Sequence, residues 1–144
     1  MEKEIQYLLD NKLAEHGISP WASPCILVPK ADGTYRFCTD FRKVNSVTVM
    51  DSFPLPLIEE LLDRVGGAKF VSTVDLNKGF WQIPLTDRAK TISSVTLQGL
   101  FSYTVLSLSL CNSLATLQRV INVIRCLPGT VAYIDDLVLM AETR

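Results

Sequence analysis

Residues 131–140, Val-Ala-Tyr-Ile-Asp-Asp-Leu-Val-Leu-Met, set two adjacent aspartates inside an apolar run. Apolar side chains on both sides of the pair call for burial, and an ionised carboxylate resists it unless something compensates. A β-hairpin with Asp135-Asp136 at its turn reconciles the two. The two faces of a strand alternate. One face of this hairpin should therefore pack on a helix, and the other should meet solvent or a partner. Asp75 poses the same problem, because it closes the β-branched and aromatic run 69–75, which reads as a buried strand. Adjacent acids repel, which raises one pKa or demands a cation. Hard oxygen ligands favour magnesium or manganese. Two such ions about 3.5–4 Å apart serve phosphoryl chemistry. An Asp-Asp pair is also ordinary in a tight turn, since aspartate tolerates left-handed backbone. The residues alone leave both readings open.

The rest of the chain interleaves helices and strands without a βαβ rhythm. Ile5, Leu8, Leu9 and Leu13 share one face at helical spacing, which predicts a helix over 2–16 capped by Gly17 and carrying His16, for which no role is claimed. Residues 25–29 and 34–39 flank Asp32-Gly33 and predict a hairpin with Lys30 and Arg36 near its turn. Residues 40–48 read as loop, 52–56 as extended and 57–64 as a short helix stopped by Gly66-Gly67. Residues 76–83 turn back through Gly79, and 92–106 hold one or two strands around Gly99. Residues 112–126 predict a helix with Asn112 or Ser113 as its N-cap. This order predicts an α+β fold, with helices on one face of an antiparallel sheet.

At 144 residues and 48% hydrophobic, the chain suits one domain with a real core. No apolar run reaches the roughly 18 residues of a membrane span. The charged start, MEKEIQYLLD, is not a secretory signal. Cys25, Cys38, Cys111 and Cys126 show no zinc spacing and read as buried reduced thiols. Together these predict an intracellular protein. The net charge of −1 argues against tight independent binding of nucleic acid.

Tyr133-Ile134-Asp135-Asp136 between apolar strands resembles the YxDD signature of reverse transcriptases. The segments SPWASPCILVPKADGTYRFCTDFRKVNSVT (19–48) and DSFPLPLIEELLDRVGGAKFVSTVDLNKGFWQIPL (51–85) resemble the polymerases of gypsy-type retrotransposons. The resemblance covers nearly the whole chain. It implies a partial RNA-directed DNA polymerase over 1–144, with 1–70 mainly fingers and 71–144 a partial palm. The thumb, connection and ribonuclease H module would lie outside it. It implies that Asp75, Asp135 and Asp136 hold two Mg²⁺ or Mn²⁺ ions. It implies that Lys30 and Arg36 hold the triphosphate of an incoming dNTP, as guanidinium and ammonium groups can. Phe80 would lie beneath the sugar and exclude a 2′-OH, and Gln118 would lie near the template or nucleotide. The implied partners are an RNA or DNA template-primer and dNTP.

The chain departs from the family where members read something like MPFGLCNAPATFQ. Here Ser107, Leu108 and Ser109 replace the Pro, Phe and Gly, and Leu114 replaces the second proline. The lost glycine removes a position suited to positive φ. The Gly17–Pro20 stretch and the span from Gln118 to Tyr133 are short, so the palm helix is expected to lose part of a turn. A fragment of this kind is expected to be weakly active or inactive alone and to self-associate through an exposed palm edge. The alternative is a non-catalytic retroelement remnant acting as a binding module.

Overall fold

The computed structural model describes residues 2–124 and 127–143. In chain order the elements are α1 (Glu2–Asp10), β1 (Ala14–His16), β2 (Ser23–Pro29), β3 (Tyr35–Thr39), α2 (Arg42–Ser46), α3 (Ile58–Val65), β4 (Phe70–Asp75), α4 (Asp87–Ile92), β5 (Ser94–Thr96), β6 (Leu100–Tyr103), α5 (Ser113–Ile121), β7 (Thr130–Tyr133) and β8 (Asp136–Ala141). A 3₁₀ turn covers Gly79–Gln82. The chain forms two compact units, residues 1–49 with 80–113 and residues 50–79 with 114–144. It therefore passes between the units three times.

The first unit carries a five-stranded sheet in the order β1-β6-β5-β2-β3. All its pairs are antiparallel except β2 with β5. Ile5 and Leu8 of α1, Phe41, Val44, Val95, Phe101 and Tyr103 close its core. The helix predicted over 2–16 stops at Asp10. The Leu13 N–H donates to the Leu8 carbonyl and the Lys12 N–H to the Leu9 carbonyl. Lys12 has φ 57°. This is the Schellman end of a helix, with lysine where glycine is usual and Leu13 supplying the apolar contact. The apolar spacing continued through Leu13 and masked the stop. His16 accordingly lies on β1, with its ring 5.0 Å from that of Phe101. Gly17 is no cap: a Cβ there would collide with the Ser102 hydroxyl, so glycine allows β1 to run against β6.

Residues 40–48 are not all loop. Asp40 accepts from the Arg42 backbone N–H and forms an ion pair with the Arg42 guanidinium at 2.6 Å, at the start of α2. Those contacts hold its carboxyl at about 2. The β2–β3 hairpin forms as predicted, with Gly33 at φ 80° in its turn. Cys25, Cys38 and Cys111 are free thiols but half-buried rather than buried, and Cys126 lies outside the described residues. Burial pushes the Cys25 thiol up. Among the described residues no helix is long and apolar enough to cross a membrane.

The second unit carries an antiparallel sheet in the order β4-β8-β7. Leu61, Leu117, Ile121, Val131, Ala132 and Leu137 are its buried apolar residues. The sequence reading of β4 as a strand is right, but its burial is not, because all six of its residues are exposed. β4 is an edge strand of this sheet. The predicted 112–126 helix ends at Ile121, and positions 125 and 126 lie outside the described residues.

Arg119 of α5 ties down the extended segment before α3. Its guanidinium contacts the Asp51 carboxylate at 2.6 Å and lies 4.7 Å from the centre of the Phe53 ring. Arg119, by its hydrogen bond, holds the Asp51 carboxyl below the usual carboxylate range. The contribution of this pair to stability is therefore complete above about pH 4, the ordinary aspartate value, and falls as pH drops through the depressed value. A ¹³C-detected titration of the Asp51 carboxyl should show a midpoint below that of a free aspartate. Arg119→Ala should restore the ordinary midpoint.

Candidate metal centre at the end of a three-stranded sheet

The two-residue turn between β7 and β8 is Ile134-Asp135, with Tyr133 paired to Asp136. The predicted hairpin is present, and its second aspartate is the first residue of β8 rather than part of the turn. Ile134 has φ 55°. A β-branched residue in left-handed backbone is strained and persists only where its surroundings hold it. The holding group is Gln118. Its Oε1 accepts the Ile134 N–H at 2.8 Å, while its Nε2 donates to Asn122 Oδ1 at 3.2 Å and to the Ala132 carbonyl at 3.5 Å. Gln118 is 0% exposed. Gln118, which the resemblance sets near the template or nucleotide, thus has its amide committed to the turn.

β4 places Asp75 directly across from Asp136. The Leu76 N–H donates to the Asp135 carbonyl at 2.9 Å, which makes 76 and 135 a hydrogen-bonded pair. The adjoining pair, Asp75 with Asp136, is then the narrow, non-hydrogen-bonded kind, with Cα atoms about 4.5 Å apart and side chains on one face. Asp135 lies one residue away, in the turn. Gly79 closes the neighbourhood: a Cβ there would meet Asp135 Cβ at 3.6 Å and the Leu117 side chain at 3.7 Å.

These acids are not buried as the sequence reading held. Asp75 and Asp136 are exposed and Asp135 is half-buried. The physical tension at the site is thus repulsion rather than desolvation, since like charges directly opposite on a sheet destabilise it. Among the described residues no lysine or arginine forms an ion pair with any of the three. Nor do the described residues gather three His, Cys, Asp or Glu side chains into a group able to enclose a metal ion. Two carboxylates at the rim of a sheet suit an open site instead. Mg²⁺ keeps several waters and takes one or two carboxylates plus substrate phosphates.

Lys30, Arg36 and Phe80 belong to the first unit. Lys30 and Arg36 are exposed and line one cleft of about 520 Å³ at the end of the β2–β3 hairpin, with Val28, Asp32 and Cys38. Asp32 braces the hairpin turn, accepting from the Thr34 N–H and hydroxyl at 2.9 and 2.6 Å. Phe80 is half-buried and is not among the residues packed on the core cluster, against which its neighbour Trp81 lies. In the 106–114 segment no residue has positive φ, so the serine at 109 occupies ordinary backbone. Sequence reasoning missed Asn45, whose side chain donates to the Ser109 carbonyl and accepts from the Cys111 N–H at 3.0 Å each, bracing that segment. It lay in a stretch read as loop, and nothing local marked it.

The family model for reverse transcriptase (RNA-dependent DNA polymerase) matches residues 28–144. The chain is 34% identical, over 99% of its length, to the retrovirus-related Pol polyprotein from transposon 297 of Drosophila melanogaster, of which it spans 14%. It is 35% identical over 72% of its length to an RNA-directed DNA polymerase homolog of Oenothera berteroana, of which it covers 76%. Among solved structures, the foamy viral protease–reverse transcriptase in complex with an RNA/DNA hybrid superposes with a TM-score of 0.85 at 29% identity. That match covers 96% of this chain and 19% of the other.

Proposed function

Since the chain belongs to the reverse transcriptase family, we propose that it is the part of an RNA-directed DNA polymerase that binds the divalent cations and the incoming nucleotide. The observation that carries this reading is the Asp75–Asp136 pair, two exposed like charges set across from one another, with no lysine or arginine among the described residues in an ion pair with either. Such an arrangement costs stability unless a cation is there to bind it.

On this reading Asp75, Asp135 and Asp136 hold Mg²⁺ or Mn²⁺, two ions when a nucleotide is present. Bound there, such ions activate an attacking hydroxyl and stabilise the charge on a leaving phosphate oxygen. The chain's own residues do the rest. Gln118 fixes the turn that aims Asp135 and Asp136. Lys30 and Arg36 offer a point charge and a planar fork to the phosphate oxygens of a dNTP. Phe80 stacks beneath its sugar. The partners are a template-primer of RNA or DNA and a dNTP, and the site of action is inside the cell. A non-catalytic module is the second reading. It is favoured by Leu108, which stands 57% exposed where the family carries an aromatic residue.

Paramagnetic broadening of backbone amides by Mn²⁺ separates the two. With dNTP present, broadening should centre on residues 74–76 and 134–137 and disappear in Asp75→Asn and Asp136→Asn. Without nucleotide it should be weak. Signals that stay sharp at saturating dNTP and Mn²⁺ would remove the metal site from this chain and leave the binding-module reading.

A further inference from the structure

Within the first unit, a line of hydrogen bonds runs from α2 to Phe80. Phe80 stands in a 3₁₀ turn, and the Ile83 N–H donates to its carbonyl at 3.2 Å. The Ile83 carbonyl accepts the Leu106 N–H at 2.9 Å, and the Leu85 N–H donates to the Thr104 carbonyl at 2.8 Å. Pro84 and Val105 pair between the same two stretches. The backbone that carries Phe80 is thus hung on residues 104–106. Residues 107–113, which follow, close on themselves. The Leu110 N–H donates to the Ser107 carbonyl at 3.3 Å and the Ser113 N–H to the Leu110 carbonyl at 3.1 Å. The buried Ser113 hydroxyl returns to the Ser107 carbonyl. Asn45 clamps this double turn from outside: its Nδ2 donates to the Ser109 carbonyl and its Oδ1 accepts the Cys111 N–H, at 3.0 Å each. One primary amide here does what a neighbouring strand would do, meeting a C=O and an N–H two residues apart. Asn112 adds the converse bond, donating to the Val49 carbonyl at 2.9 Å. Asn45 rides on a helix seated by Phe41 and Val44, which are 1% and 3% exposed.

We propose that Asn45 is a positioning residue for the sugar of the incoming nucleotide, acting through residues 106–113 on Phe80. The role rests on the reading of Phe80 as the residue beneath that sugar. A ring that rejects a 2′-OH by contact has to be held to within about 0.5 Å, because a ring free to shift yields to the hydroxyl. Phe80 is not among the residues packed on the core cluster, so the backbone bonds carry its placement. Lys30 and Arg36 are held separately, by the β2–β3 hairpin. Loss of Asn45 therefore splits the site: phosphate binding persists and sugar discrimination fails. The clamp also accounts for the altered stretch. Where the family has two prolines, each fixing φ, this chain has Ser107 and Leu114. The stiffness comes instead from the bonds of Asn45 and Ser113.

Amide exchange on the full chain without nucleotide tests the linkage. In Asn45→Ala the Cys111, Leu106 and Ile83 amides should exchange about tenfold or more faster, while the β5–β6 ladder stays as it is. Circular dichroism and tryptophan fluorescence check that the variant folds. Should it not fold, Asn45→Asp carries the same comparison, since it keeps the acceptor for the Cys111 N–H and loses the donor to Ser109. Binding of dATP, ATP and inorganic tripolyphosphate, each with Mn²⁺, tests the sugar. The native chain should bind dATP about tenfold or more tighter than ATP. Asn45→Ala should bring that ratio to within about threefold of unity and leave tripolyphosphate within about twofold of its native affinity. A purely structural loss would weaken all three ligands together. Unchanged exchange at Ile83 and Leu106, a dATP preference that survives in Asn45→Ala, or a parallel loss of tripolyphosphate would each overturn the role of Asn45. A native chain that binds none of the three ligands would instead overturn the nucleotide reading, and the sugar role with it.

Discussion

Truncating Phe41 to alanine should destabilise the first unit by about 3–5 kcal/mol, the usual cost of removing a buried aromatic ring. Phe41 is 1% exposed and lies at the centre of a core built from α1, α2 and the five-stranded sheet. Its ring meets that of Tyr103 edge-on, with centroids 6.3 Å apart. Tyr103 in turn shares a buried hydrogen bond with Thr39 at 3.1 Å, so the ring also backs the end of β3. The neighbours come from separate elements, which limits how far the site can collapse around the gap. Both tryptophans, Trp21 and Trp81, lie in this unit, so fluorescence in urea reads its unfolding directly. Val47→Ala is the control: Val47 is 68% exposed, and its loss should stay within about 0.5 kcal/mol. A change below about 1 kcal/mol at Phe41 would mean that the core does not close on this ring.

Replacing Gln118 by methionine should cost the second unit about 1–3 kcal/mol, although the side chain keeps nearly the same shape. The loss comes from the groups left behind. The Ile134 N–H loses its acceptor, and the Ala132 carbonyl and Asn122 lose a donor. The cost also falls on a residue already in unfavourable backbone, Ile134 at φ 55°. The turn should relax, and Asp135 with it. Amide exchange at Ile134 is the sharpest readout and should accelerate about tenfold or more if the opening free energy falls by about 1.4 kcal/mol. Mn²⁺ broadening around residues 134–137 should weaken in parallel. Unchanged exchange at Ile134 would show that the turn stands without its clamp.

Much of this protein was legible from residue order. The β2–β3 hairpin follows from Asp32-Gly33 between two strand-like runs. The β7–β8 hairpin follows from two acids interrupting apolar residues. Family membership and an α+β fold were likewise legible, through ordered motifs spanning nearly the whole chain. These features depend on neighbours a few residues apart, and local backbone preference and alternation encode them.

Tertiary structure decided what depends on distant partners. The pairing of Asp75 with Asp136 is a register between strands far apart in sequence, set by how the whole sheet assembles. The end of α1 at Asp10 was hidden because the apolar spacing ran on through Leu13, and only the left-handed Lys12 with its two backbone bonds stops the helix. Gln118 could be matched to a family position from sequence, but its commitment to the Ile134 N–H needed coordinates, since a helix residue and a turn 16 positions later meet only in the folded chain. β4 has the composition of a buried strand, yet all six of its residues are exposed and it stands at the edge of the three-stranded sheet among the described residues. Composition reports how well a strand could be buried, and only the order of strands in the sheet determines whether anything lies beside it.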